Sequence, residues 1–109
     1  MNNDRLKDDF NDVLIKMSEG NPGSLRVLFE ILEAKENDIF ASLEVFSTLN
    51  DMRLYGAHLY MLWNDCCGND INKTLLVIQK YREGKITDND INERIKNVGY
   101  GLSFDDLIK

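Results

Sequence analysis

The stretch Gly20-Asn21-Pro22-Gly23-Ser24-Leu25-Arg26 ends one helix and begins the next. Gly20 can adopt the left-handed conformation that commonly follows a helix C-terminus. Asn21 can accept hydrogen bonds from the free amides of a helix start, and Pro22 suits the first helical position because no N–H is needed there. The stretch therefore predicts a tight boundary between two helices.

Apolar side chains recur at helical spacing on both sides of this boundary. The spacing predicts one inward face before the boundary and several after it. The first face comprises Leu6, Phe10, Val13, Leu14 and Met17, and the second comprises Leu25, Leu28, Phe29 and Leu32, widened by Val27 and Ile31. Later faces comprise Ile39, Phe40, Leu43, Phe46 and Leu49, then Leu59, Leu62, Trp63 and Cys66, then Ile71, Leu75 and Ile78.

Further helix starts are indicated at Asn37 or Asp38, at Asn69 or Asp70, and at Thr87, where Asp90 three residues later forms a pattern like a capping box. No useful length of sequence alternates with period two. We expect an all-α fold in which residues 1–109 form a compact single domain of five to six short helices, with bundle-like or orthogonal packing. The last ten residues or so are expected to form a short terminal helix or a tail.

The composition limits the possible functions. The chain has 109 residues, with 13 Lys and Arg against 19 Asp and Glu, and a net charge of −6. Residues 1–70 hold six basic and thirteen acidic side chains, a net charge of −7. A surplus of acid argues against binding to duplex nucleic acid and favours basic protein surfaces, although solubility alone also explains it. No transmembrane run and no leader is evident, so a cytoplasmic, non-membrane protein is expected.

Metal and cofactor chemistry finds little support in the sequence. Cys66 and Cys67 are adjacent, which does not fit the spacing of zinc or redox motifs, and His58 is the only histidine. We therefore expect two reduced, half-buried thiols. The run 88–92 resembles a calcium loop, but Glu93 stands where that loop needs glycine. No metal and no cofactor are expected.

Catalysis is equally poorly supported, because His58 has no nucleophile beside it in a recognisable motif. Asp65 lies seven residues later on the same helix face, about 10 Å away at 1.5 Å per residue, which is too far to orient the imidazole. We expect that the protein is not an enzyme.

Two clusters are candidates for ligand binding. The first is the helix start, where free amides, the close approach allowed by Gly23, the Ser24 hydroxyl and the Arg26 guanidinium, together with Asn21, could form an anion pocket. A plain helix start, with Asn21 as cap and Gly23 permitting contact between helices, is the alternative interpretation.

The second cluster is Arg53, Tyr55, His58 and Tyr60, with Trp63 close by. Tyr, Trp and Arg side chains together are typical of a contact surface for a partner chain or a stacked base. Core packing explains Trp63 equally well, but it explains Arg53, Tyr55 and His58 less easily.

Three stretches carry a resemblance to a known group of proteins. The runs Asn21-Pro22-Gly23-Ser24-Leu25-Arg26-Val27-Leu28, Leu49-Asn50-Asp51-Met52 and Asp65-Cys66-Cys67-Gly68-Asn69-Asp70-Ile71 resemble small proteins encoded by phages and prophages of Gram-positive bacteria. That group has no assigned activity, so no functional residue is carried over. The resemblance, which spans roughly residues 10–80, implies a bacterial host cytoplasm and a counter-defence or host-takeover role.

These observations lead to two hypotheses. The first is a non-catalytic phage-type accessory binding protein that sequesters a small anionic, nucleotide-like ligand, with the two clusters meeting across a homo-oligomer interface. The alternative is an acidic protein–protein interaction module that inhibits a basic host protein.

Overall fold

A computed structural model of the chain describes residues 2–93, 95 and 104–108, with side chains described at 8–93, 95, 104, 105, 107 and 108. Every regular element in these ranges is helical, and the predicted all-α domain is confirmed. Residues Leu62–Cys66 extend the fourth helix as a π-helical segment. The helices are α1 (Asn2–Ser18), α2 (Pro22–Ala34), α3 (Ile39–Asp51), α4 (Gly56–Met61), α5 (Ile71–Arg82), α6 (Asp88–Ile91) and α7 (Phe104–Ile108).

The helix starts agree closely with the capping residues in the sequence. In each of four helices a side-chain oxygen of the cap accepts a hydrogen bond from an N–H of the first turn, an interaction worth about 1 kcal/mol. Gly20, which follows α1, has φ +74°, the left-handed conformation expected there. The caps are Asn21 for α2, Asp38 for α3, Asp70 for α5 and Thr87 for α6, the last in a complete capping box with Asp90.

Helix α2 occupies the centre of the domain. It packs against α1, α3, α4 and α5, and its face of Ser24, Val27, Leu28 and Ile31 is buried. The radius of gyration is 13.5 Å, close to the value of about 13 Å for a compact domain of 100 residues. A single hydrophobic core therefore surrounds α2.

Two phenylalanines predicted to face inward are exposed instead. Phe29 on α2 is 50% exposed and Phe40 on α3 is 72% exposed. The helical period gives the spacing of the apolar side chains, but both helices carry apolar residues over more than half of their circumference. Neighbouring helices cover the arcs centred on Val27 and Phe46 and leave the other apolar arc in water.

The C-terminal part of the domain packs on α5. Helix α7, Phe104–Ile108, contacts α5 and buries Leu107. The other residues of the predicted terminal segment lie outside the described residues, as does the side chain of Leu6 on the first predicted face.

The two cysteines are buried more deeply than expected. Cys66 and Cys67 form no disulfide bond, and both are buried rather than half-buried. Hydrogen bonding with Cys66, together with burial, raises the pKa of the Cys67 thiol far above its usual range. Cys67 therefore remains a protonated, structural thiol at neutral pH.

A hydrogen bond ties the end of α5 to the start of α6. The Tyr81 hydroxyl donates to Asp88 Oδ1 at 2.7 Å. This hydrogen bond, reinforced by partial burial, raises the pKa of Tyr81 to about 12. Because the folded-state pKa lies above the ordinary value of about 10, the contact stabilises the fold below pH 10 or so and is lost as the pH rises towards 12.

We predict that Asp88→Asn lowers the pKa of Tyr81 towards its ordinary value, because a neutral amide no longer opposes formation of the phenolate. Alkaline titration followed by tyrosinate absorbance measures this shift. Tyr81→Phe should remove the transition near pH 12, whereas Tyr55→Phe, which removes a hydroxyl that donates to a neutral amide, should retain it. A late transition that survives in Tyr81→Phe would contradict the assignment.

Candidate functional site

The chain's own groups occupy most of the start of α2. Asn21 Oδ1 accepts from the Ser24 amide at 3.0 Å, and the Asn21 carbonyl oxygen accepts from the Leu25 amide at 3.0 Å. Pro22 has no N–H to offer. Gly23 is the remaining member of the first turn, so the helix start presents few of the free amides that an anion pocket needs.

The aromatic ring of Tyr60 covers Gly23. A Cβ atom placed on Gly23 would lie 2.6 Å from Cδ2 of Tyr60, closer than two carbon atoms can approach. The absence of a side chain at this position therefore allows α4 to pack closely on α2. The ring of Tyr60 in turn meets Trp63 in an edge-to-face arrangement, with the ring centroids 6.0 Å apart.

Arg26 lies next to this aromatic pair. Its guanidinium carbon is 5.5 Å from the ring centroid of Trp63, and its Nε is 3.8 Å from Oε2 of Glu30. The Arg26 side chain is 71% exposed, so the stacking leaves its outer face open to solvent. We call Gly23, Arg26, Glu30, Tyr60 and Trp63 the Arg26–Trp63 cluster.

Three polar atoms in this region are buried without a hydrogen-bond partner among the described residues. They are the Ser24 hydroxyl oxygen, Nε1 of Trp63 and Oε2 of Glu30, whose ion pair with Arg26 is longer than a hydrogen bond. Ser24 is completely buried, so its hydroxyl cannot reach a ligand in solvent, contrary to the role that the sequence suggested for it. Trp63 belongs to the π-helical segment, a local widening that is often found at functional sites.

The second predicted cluster is only partly assembled with the first. Tyr60 joins Gly23 and Arg26 as described above. Arg53 is exposed, with φ +57°, in the turn between α3 and α4, and half-buried His58 lies in the first turn of α4. Among the described residues, no side-chain hydrogen bond, ion pair or ring contact joins Arg53, Tyr55 or His58 to residues 21–26.

Tyr55 belongs to a different feature, a cleft between α1 and α3. The cleft has a volume of about 290 Å³, and Tyr55 lies at one end of it, where its hydroxyl donates to Asn50 Oδ1 at 2.7 Å. The walls of the cleft are Val13, Lys16 and Met17 from α1, and Leu43, Phe46, Ser47 and Asn50 from α3. Sequence reasoning placed several of these residues in the core but could not foresee the cleft, because no local motif links α1 to α3.

The exposed apolar side chains form a third feature. The most exposed large apolar residues of the described part of the chain are Ile15, which is 70% exposed, Phe40 and Phe29. Each is followed four residues later by an exposed glutamate, which lies on the same helix for Phe29 and Phe40 and in the turn just after α1 for Ile15. The pairs are Ile15 with Glu19, Phe29 with Glu33 and Phe40 with Glu44.

The carboxylates of α1 to α3 are largely free of ion pairs within the described ranges. Glu30 pairs with Arg26, and Glu44 pairs with Arg82 of α5. Glu19 and Glu33 have no such partner there. No set of three or more His, Cys, Asp or Glu residues in the described chain is arranged to hold a metal ion. None of the described helices is both long and apolar enough to span a membrane.

Comparison with known proteins gives no further guide to the site, since no family model, no curated protein and no solved structure matches the chain.

We predict that Gly23→Ala destabilises the protein by about 1–3 kcal/mol, because the added methyl group overlaps the ring of Tyr60. At an uncrowded helical position the same change would stabilise by up to about 1 kcal/mol. Urea denaturation of Gly23→Ala, Tyr60→Ala and the double variant measures the coupling between the two positions. In the Tyr60→Ala background, where the ring is absent, Gly23→Ala should no longer lower the free energy of unfolding. Strictly additive effects would show that the contact does not constrain the fold.

Proposed function

We propose that the protein is a non-catalytic interaction module whose acidic surface, formed by α1 to α3, binds a basic partner protein. The observation that carries this proposal is that the two highly exposed aromatic side chains of the described chain each have an exposed glutamate one helical turn away, Phe29 with Glu33 and Phe40 with Glu44. Such pairs offer an apolar contact and a negative charge to the same partner residue or to adjacent ones. A basic amphipathic surface is the natural complement.

The charge distribution supports this choice of partner. Residues 1–70 carry a net charge of −7, and Glu19 and Glu33 have no cation beside them in the described part. Uncompensated exposed carboxylates speed encounter with a basic protein, whereas exposed aromatic side chains provide most of the affinity once water is excluded. Isolated exposed apolar residues are common on soluble proteins and do not by themselves indicate a binding site. The glutamate beside each of them is what favours binding here.

The start of α2 offers less support for sequestration of a nucleotide-like anion. Asn21 caps the helix, Tyr60 covers Gly23, and Ser24 is buried. Arg26 remains exposed, but Glu30 and Trp63 already engage it. A thermal-shift screen with mono-, di- and cyclic nucleotides tests this alternative, and stabilisation by any of them would favour it over the acidic surface.

The biological setting of the proposal comes from the resemblance to phage and prophage proteins. In that setting the basic partner is a host protein, bound in the bacterial cytoplasm as part of a counter-defence or host-takeover role. Self-association is also part of the proposal, because the exposed aromatic residues could pair between copies, and light scattering of the purified protein measures it.

We predict that Phe40→Ala and Glu33→Gln each weaken partner binding, the first by about fivefold or more because an exposed aromatic anchor is lost. The partner is first captured from lysate of a Gram-positive host at about 0.1 M salt, and its affinity is then measured at about 0.1 M and about 1 M salt, where screening shortens the Debye length from about 10 Å to about 3 Å.

The matched controls are Leu76→Ala and Glu93→Gln, which alter an exposed apolar and an exposed acidic residue outside α1 to α3. Both should bind like the unaltered protein. Equal binding by Phe40→Ala and Leu76→Ala, or an affinity that does not change with salt, would rule out the acidic surface as the binding site.

A further inference from the structure

We propose that the cleft between α1 and α3 binds a small amphiphilic carboxylate, a molecule with an apolar body and a single anionic head. This site is separate from the pairs of exposed residues described above, and the inference does not depend on the proposed function.

The floor of the cleft suits an apolar body. Met17 and Phe46 are buried at its base, and Val13 and Leu43 are half-buried on its two sides. The ring of Phe46 stacks on that of Phe10 behind it, with centroids 5.6 Å apart, which holds the floor in place. The volume of about 290 Å³ is just below the range of ligand sites, which starts at about 300 Å³, so the ligand is small.

The polar groups of the cleft suit an anionic head. Lys16 offers an ammonium group that makes no ion pair within the described residues, and Ser47 offers a hydroxyl group. The side-chain oxygen of Asn50 accepts from Tyr55, so its NH₂ group is left free to donate.

The cleft contains no acidic residue, although the chain has 19 Asp and Glu against 13 Lys and Arg. A cationic ligand would find no countercharge in its walls. A purely apolar ligand would leave the Lys16 ammonium and the Asn50 amide without a role. A carboxylate head, which accepts hydrogen bonds from both kinds of donor, satisfies the whole set.

The test uses three ligands that share one apolar chain and differ only in the head: octanoate, octan-1-ol and octylammonium. Calorimetry measures their affinities for the full chain, and amide chemical shifts in ¹⁵N NMR spectra locate the site. We expect octanoate to bind most tightly and to shift the amides of α1 and α3. Equal affinity for all three ligands, or shifts confined to other helices, would overturn the proposal.

Charge variants at the rim separate the electrostatic contribution from simple apolar binding. Lys16→Met should weaken octanoate binding about tenfold, the loss expected for a hydrogen bond to a charged group, and leave octan-1-ol unaffected. Lys35→Met, which removes a lysine that lies outside the cleft, is the matched control and should change neither affinity.

Asn50→Asp provides a second test that preserves the shape of the cleft. The new carboxylate can still accept the Tyr55 hydroxyl, but it repels the ligand head, so octanoate binding should be lost while octan-1-ol binding persists. Circular dichroism confirms that each variant is folded. If octanoate binds Lys16→Met and Asn50→Asp as well as it binds the unaltered protein, the cleft does not select a carboxylate.

Discussion

The contact between the backbone of Gly23 and the ring of Tyr60 sets the distance between α2 and α4. Since α2 also packs against α1, α3 and α5, this distance affects most of the core. The ring of Tyr60 then supports Trp63, over which Arg26 extends. One missing side chain therefore determines both the central packing and the position of the exposed guanidinium group.

The same contact explains why the sequence predicted where α2 begins but not whether the start of α2 is open to a ligand. Asn21 and Pro22 predicted the boundary of α2 correctly, because capping and the first-turn preference for proline are local effects. Whether a helix start remains open to a ligand depends on what packs against it from elsewhere in the chain. Tyr60 is 37 positions after Gly23, and no spacing rule connects them.

Burial was predictable where a helix has one apolar face and not where it has two. Phe10, Leu14 and Met17 form a single stripe on α1, and all three are buried. Helix α3 offers Phe46 on one arc and Phe40 on another, and only the arrangement of α1, α2 and α5 around it decides which arc is covered. The cleft beside α3 arises from the same tertiary arrangement. Of the residues that line it, the sequence indicated only Tyr55 as a candidate for ligand binding.

An acidic exterior and an acid-free cleft can serve different ligands in one small protein. The net charge of −6 repels anions at long range, but this repulsion decays over a Debye length of about 8 Å at physiological salt. Inside the cleft, the nearest charge on its walls is the Lys16 ammonium, and the hydrogen bonds available to an anion come from Lys16, Ser47 and Asn50. The repulsion therefore slows the arrival of an anionic ligand more than it weakens the bound state. For a basic partner approaching Phe29 and Glu33 the effects are reversed, since long-range attraction brings it to the surface and apolar contact holds it there.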